Sequence, residues 1–169
     1  MSGPASKPKL RPFLPGDTPV CAAIYEASIE ELTGEEYTEG QQEAWIAALD
    51  EDELEKRLGG QLTLIATLDD IPVGFSSLRG AVHVDLLFVH PAATGRHVAS
   101  ALCDALEKLA AARGAAKLTA DVSDTAHRFF TRRGYIDQQR NTIPLGEEWL
   151  GNTTMQKALD AATPKGPIQ

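Results

Sequence analysis

The hydrophobic period of this chain switches after Gly59-Gly60 and switches back after Val89, which leaves few folds open to it. Before the first switch, apolar residues recur every three to four positions. Cys21, Ile24, Tyr25, Ile29 and Leu32 follow a Pro15-Gly16 break, and Trp45, Ile46 and Leu49 follow Thr38. That spacing builds one apolar face on a helix. Asp17 stands as an N-cap with Pro19 in the first turn, Thr38 and Gln41 form a capping box, and Asp50 with Glu53 opens a third short helix ending at Leu58. Between the switches, Leu62, Leu64 and Ala66 alternate with Thr63, Ile65 and Thr67. Asp69-Asp70 then turns the chain, and Ile71–Leu78 and Val82–Val89 complete a meander. A helix follows from about Arg96 to Arg113, with Val98, Leu102, Leu106 and Leu109 on its stripe and Gly114 at its end. A first strand at Lys9–Leu14, strands at Lys117–Val122, Tyr135–Ile143 and Thr153–Ala158, and a helix at Ser123–Arg133 complete the pattern. The expectation is an α/β fold with a mixed, mostly antiparallel central sheet of about six to seven strands, flanked by helices on both faces.

A length of 169 residues suits one domain, with a core at about 9–159 and ragged termini at Met1–Pro8 and Thr163–Gln169. Lys and Arg number 16 against 24 Asp and Glu, a net charge of −8 that repels polyphosphates and argues against a nucleic-acid partner. The longest apolar run, Ala44–Leu49, is far short of the ~20 residues of a membrane span, and Met1–Lys9 is polar where a secretory signal would be apolar. Cys21 and Cys103 match no zinc or redox spacing, and neither do the four histidines. The expectation is a reduced, cytoplasmic protein without metal or membrane.

The most informative segment runs from Leu86 to Leu102: a strand, a tight loop at His90-Pro91, and a helix whose first turn holds Gly95, Arg96 and small residues. A helix N-terminus presents unpaired N–H groups and a partial positive charge, so it receives phosphate. The segment is neither a Walker loop nor a G-x-G-x-x-G fingerprint, which removes the main support for triphosphate or dinucleotide binding.

This segment resembles the signature of the GNAT superfamily of acyl-CoA-dependent N-acetyltransferases: a strand ending V-x-P, then [Q/R]-x-x-G-x-[G/A] at the start of the central helix. Val89-x-Pro91 fits. Thr94, Gly95, Arg96, His97, Val98 and Ala99 occupy the six signature positions, with Thr94 in place of Gln or Arg and His97 in place of the central Gly. A second block, Ser123-x-x-Ala126-x-x-Phe129-Phe130-x-x-x-Gly134-Tyr135, is similar to the family's N-x-x-A-x-x-[FL]-Y-x-x-x-G-F. A third, Gly151-Asn152-x-x-Met155-x-Lys157-x-Leu159, is similar to the closing strand of the YafP-like branch, which Trp45 also suits.

The resemblance implies acetyl-CoA as acyl donor. It places pantetheine along Leu87, Phe88 and Val89, and pyrophosphate over Gly95, Arg96, His97, Val98, Ala99 and Ser100. Ser123, Ala126, Phe129, Phe130 and Arg133 would flank the CoA arm. An amine attacks the thioester directly while a backbone N–H near Phe88 binds the oxyanion, so no covalent enzyme intermediate is needed. Phe130 stands where many relatives carry a Tyr that protonates the thiolate, which leaves the general acid unassigned. The altered signature and the missing Tyr keep a non-catalytic acyl-CoA-binding or regulatory module open as the alternative.

On the acceptor side, residues 26–55 hold twelve acidic residues and no Lys or Arg. They are either solvated helix faces or the border of a cleft that draws in a cationic amine. In the second case Glu26 and Glu30, four residues apart on one helix, are the first candidates, with Tyr37 and Trp45 as packing or acceptor contacts. Strand alternation sets His83, Asp85 and Leu87 on one face and Val82, Val84, Leu86 and Phe88 on the other. His83 is the candidate general base, and Asp85 orients it if no bulge intervenes. A homodimer stays open.

Overall fold

The computed structural model describes residues 6–160. The meander is present as β2 (Leu62–Leu68), β3 (Ile71–Arg79) and β4 (His83–Val89), preceded by β1 (Lys9–Pro12), α1 (Thr18–Leu32), α2 (Glu39–Ala47) and α3 (Glu51–Gly59). After it come α4 (Val98–Ala112), β5 (Lys117–Ser123), α5 (His127–Arg132), β6 (Ile136–Leu145) and β7 (Glu148–Ala158). The seven strands form one sheet in the order β1-β2-β3-β4-β5-β7-β6. Only β4 and β5 run parallel; every other pair is antiparallel.

Both faces are covered. On one, Ile24 and Ile29 of α1 and Leu54 and Leu58 of α3 pack on Ile65, Phe75 and Leu86. On the other, Leu102 and Leu106 of α4 and Phe130 of α5 close over Ala66, Leu118, Ala120 and Val122. Each buried Leu, Ile, Val or Phe among them contributes about 1.5–3 kcal/mol. Cys21 and Cys103 are free, buried thiols, each pushed up to about 12 chiefly by burial, so both are packing residues.

Thr38 and Gln41 form the expected capping box, and Asp50 caps α3 through the Glu53 N–H. Asp17, in contrast, does not cap α1. Its carboxylate accepts from the Leu14 N–H at 2.8 Å and from both terminal nitrogens of Arg11, fixing the short turn ahead of the helix. The helix expected from Ser123 starts only at His127, because Ser123 Oγ accepts from the Ala126 N–H and holds the chain in a turn. The last strand begins at Glu148 rather than near Thr153, since Gly146 adopts φ 58° in a two-residue turn that zips β6 to β7. Of the expected ragged ends, Met1–Ala5 and Thr163–Gln169 lie outside the described residues.

A bulge in β4 decides what faces the interior. Ser77 pairs with Leu86 and Leu78 with Val84, so Asp85 has no partner on β3. The extra residue reverses the alternation beyond it. Val84 and Leu87 pack toward α4, while Leu86 and Phe88 pack toward α1, together on the face of the sheet that Phe75 lines. The expected grouping of Leu87 with His83 and Asp85 is therefore corrected.

Candidate active site

β4 and β5 stay paired only at His83↔Thr119 and Val84↔Ala120. Beyond the bulge they part, and a cleft of about 620 Å³ opens between them. Leu86 to Val89 form one wall and Ala120 to Ser123 the other, so the β5-facing edge of β4 is free to pair with an extended ligand. Of the residues assigned to the CoA arm, Leu87, Phe88, Val89, Ala99, Ser123, Ala126, Phe129 and Phe130 line this cleft.

At its outer end the signature loop turns into α4. Gly95 and His97 both adopt left-handed backbone, at φ 79° and 65°. His97 thus holds a conformation that glycine reaches without strain, and its exposed side chain leans away from the core. Helix α4 consequently starts at Val98, two residues later than Arg96. Among the described residues, the backbone N–H groups of His97, Val98, Ala99 and Ser100 find no protein acceptor. The side chain of Val98 is buried under the sheet, so only its backbone is presented at the start of the helix. The Arg96 guanidinium donates to the Ser6 carbonyl at 3.3 Å.

The inner end carries the ionisable groups. His83 Nδ1 lies 2.7 Å from Thr119 Oγ1, and that hydroxyl also lies 3.3 Å from the Val82 carbonyl. With the Thr119 proton on the Val82 carbonyl, His83 Nδ1–H donates to Thr119 and Nε2 carries the lone pair; with that proton on Nδ1, Nε2–H faces Asp121. Nε2 faces Asp121 Oδ2 at 3.7 Å, and Thr154 donates to Asp121 Oδ1 at 2.6 Å. Burial lowers the His83 pKa below its ordinary 6.5; Asp121 pulls it back in part, and Arg79 lowers it further. His83 is therefore neutral at neutral pH.

Asp85 does not orient His83. The bulge turns its carboxylate to Arg57, whose Nε and one terminal nitrogen donate at 2.7 and 2.9 Å, with Gln61 at 2.8 Å and Arg79 at 3.2 Å. Burial alone would raise the Asp85 pKa, but the hydrogen bonds from Arg57 and Gln61, with the charges of Arg57 and Arg79, outweigh it and lower the value. Such a carboxylate is a fixed anion that anchors two guanidinium groups, and it is a poor base.

Other assigned residues lie elsewhere. Glu26 and Glu30 are exposed and do not line the cleft, because Tyr25, Ser28 and Leu32 form the inward stripe of α1. Arg133 is tied to Asp104 at 2.7 Å and Glu107 at 3.1 Å, outside the cleft lining. Tyr37 and Trp45 do line the cleft, in edge contact at 5.4 Å, with Trp45 6.4 Å from Phe88. The Tyr37 hydroxyl donates to the Gly151 carbonyl and accepts from the Asp124 N–H, and the Tyr25 hydroxyl donates to the Trp45 carbonyl. Both phenolic protons are engaged and burial raises both pKa values, so neither stands in for the Tyr that Phe130 replaces.

Arg57, Arg79, Thr119 and Asp121 escaped the sequence reading. Thr119 and Asp121 alternate with buried Leu118, Ala120 and Val122 on β5, a visible pattern, but only the parallel register sets them beside His83. No group of three or more metal-ligating side chains occurs among the described residues, and no described helix is long and apolar enough to cross a membrane.

The family model described as an acetyltransferase (GNAT) domain matches residues 32–159. The chain belongs to the GNAT family. It is 32% identical over 148 residues to the uncharacterised N-acetyltransferase YafP of Escherichia coli K12, covering 88% of this chain and 94% of that one. A GCN5-related N-acetyltransferase structure from Rhodopseudomonas palustris is 57% identical, covers 94% of this chain and all of its own, and superposes with a TM-score of 0.89. The PaiA N-acetyltransferase of Thermoplasma acidophilum, solved with coenzyme A, shares the fold at 17% identity, with a TM-score of 0.75 over 90% of this chain and 99% of its own. This GNAT protein is thus an acyltransferase of the YafP-like branch, and the mixed sheet of about six to seven strands expected from the sequence is present with seven.

Proposed function

We propose that the protein transfers an acetyl group from acetyl-CoA to a primary amine of a small molecule or peptide by direct attack. The carrying observation is one continuous cleft, which runs from Ala99 in the first turn of α4, along the free edge of β4, to His83. The fit with acetyl-CoA is chemical: a helix N-terminus for pyrophosphate, an unpaired strand edge for an amide-bearing arm, and apolar walls at Leu87, Phe129 and Phe130. The Thermoplasma relative solved with coenzyme A supports the same donor here.

In this reading His83 Nε2 takes a proton from the acceptor ammonium, directly or through one water, and frees the amine to attack the thioester carbon. A backbone N–H of β4 near Phe88 donates to the developing oxyanion. The C–S bond then breaks and the thiolate leaves; with a thiol pKa of about 8.5, it needs no dedicated acid. The products are the N-acetyl amide, free CoA thiol and one proton.

Thiol release from acetyl-CoA, measured across amines, amino acids and peptides, tests this reading directly. Acetyl-CoA at a hundred times its dissociation constant should also stabilise the fold by about 2.7 kcal/mol, roughly 5–11 °C in melting temperature. No shift at millimolar acetyl-CoA, together with no thiol release, would exclude it.

A further inference from the structure

The acceptor end of the cleft presents both signs of charge, in an order set by strand register. Arg79 on β3 lies directly across from His83 on β4, and His83 directly across from Thr119 on β5. Paired residues in adjacent strands present their side chains to the same face, about 5 Å apart. Asp121, two positions beyond Thr119, follows on that face, while Arg57 reaches in from α3 and is joined to Arg79 through Asp85. Arg57, Arg79, His83 and Asp121 all line the cleft.

The two ends of this row differ in what they leave free. Asp85 uses the Nε and one terminal nitrogen of Arg57, and one terminal nitrogen of Arg79. One terminal nitrogen of Arg57, and the Nε and second terminal nitrogen of Arg79, have no partner among the described residues. Two guanidinium groups share one carboxylate, which leaves a net positive charge with donors to spare. At the other end Asp121 Oδ2 and His83 Nε2 face one another at 3.7 Å, and a bound ammonium would bridge them with Nε2 in its lone-pair tautomer. The acidic residues that would attract a purely cationic amine, Glu26 and Glu30, are on the outer side of α1.

Resting on the acetyl-transfer reading, we propose that the acceptor is a zwitterion, an α-amino acid with an apolar side chain. Its ammonium sits between His83 and Asp121, and its carboxylate takes the free donors of Arg57 and Arg79. The aromatic wall of Tyr25, Trp45 and Phe88, on the same side of the sheet, accommodates the side chain. The geometry separates two jobs: Asp121 and His83 handle the amine that reacts, and the arginines fix which amines arrive with an anion beside them.

The test compares apolar α-amino acids with their α-carboxamides, which keep the amine and side chain but lose the anion. The carboxamide amine is the less basic, so chemistry alone favours it at neutral pH; a preference for the acid must come from the site. The expected result is a kcat/KM at least about tenfold higher for the free acid. In Arg79→Gln, whose folding is checked by thermal denaturation, that ratio should fall toward one, through a raised KM for the amino acid and an unchanged KM for acetyl-CoA. Carboxamides acetylated as well as or better than the acids by the wild-type protein would overturn the inference and leave acetyl transfer standing. An acid preference that survives Arg79→Gln together with Arg57→Gln, in a variant shown to fold, would also overturn it. If neither series releases thiol while other amines do, the inference fails and acetyl transfer stands; if no amine, amino acid or peptide releases thiol and acetyl-CoA gives no thermal shift, the acetyl-transfer reading itself fails.

Discussion

Gly74 of β3 lies under Val98, the first residue of α4, so closely that a methyl group on Gly74 would come within 2.9 Å of Val98 Cγ1 and 3.1 Å of the Phe88 carbonyl. The absent side chain lets the helix N-terminus, with its free N–H groups, descend onto the sheet beside the cleft. Gly74→Ala should therefore destabilise the fold by about 1–3 kcal/mol through overpacking. It should also weaken acetyl-CoA binding by lifting the first turn of α4. Chemical denaturation and a titration of acetyl-CoA check the two effects, and an unchanged affinity would mean that the helix start does not depend on this contact.

His97 supplies a second test of the same loop. At φ 65° it occupies a backbone region costing a side chain about 1–2 kcal/mol, which histidine tolerates better than most residues. His97→Gly relieves that strain and loses a similar amount to chain entropy, so stability should stay within about 1 kcal/mol. His97→Val, β-branched at the same angle, should cost about 2 kcal/mol and weaken acetyl-CoA. Equal stability of the two variants would show that the loop relaxes out of the left-handed conformation.

These two residues mark how far the sequence could be read. The period switches at Gly59-Gly60 and Val89 identify the meander and the order of elements, and the Val89-x-Pro91 block and its successors point to the family. What stayed hidden was register. One extra residue at Asp85 flips every side chain beyond it, and a bulge leaves no trace in an alternating pattern of His, Val, Asp and Leu. The pairing of β4 with β5 is a long-range relation, so Thr119 and Asp121 could not be placed beside His83 from local spacing. Helix α1 shows the converse error: its acidic residues look like a cleft border in sequence, while its buried Tyr25 and Ser28 are the ones that reach the cleft. Arg133 was misplaced for a related reason, since its carboxylate partners come from α4, far away in sequence.

The Asp85 cluster predicts a pH-dependent stability. The Asp85 carboxyl titrates below its unfolded value of 3.8. It therefore contributes stability that is fully present above pH 3.8 and is lost as the pH falls through the folded value. Asp85→Asn removes that contribution and leaves Arg57 and Arg79 facing one another, so it should destabilise the protein by about 1–3 kcal/mol at neutral pH. Between neutral pH and acid, the difference between wild type and variant should shrink. Denaturation curves at pH 7 and below pH ~4 measure it. A constant difference would show that the carboxylate is not the titrating group.

His83 is the residue on which the proposed chemistry depends most. Its Nδ1 lies 2.7 Å from Thr119 Oγ1, its Nε2 faces Asp121 at the cleft, and burial holds its pKa below 6.5. The basic form is therefore present throughout the neutral range, and kcat/KM should fall on the acid side, with the limb below pH 6.5. His83→Ala should lower turnover at neutral pH by about a hundredfold or more and abolish that limb, while acetyl-CoA affinity stays unchanged, because no part of the phosphate end is disturbed. Thr119→Val provides the finer test. It removes the partner of Nδ1, leaves the ring in place, and releases the tautomer, so it should lower turnover by a smaller factor and shift the limb without erasing it. A pH profile left intact by His83→Ala, with near-normal turnover, would pass the proton to Asp121 or to water and end the role assigned to the histidine.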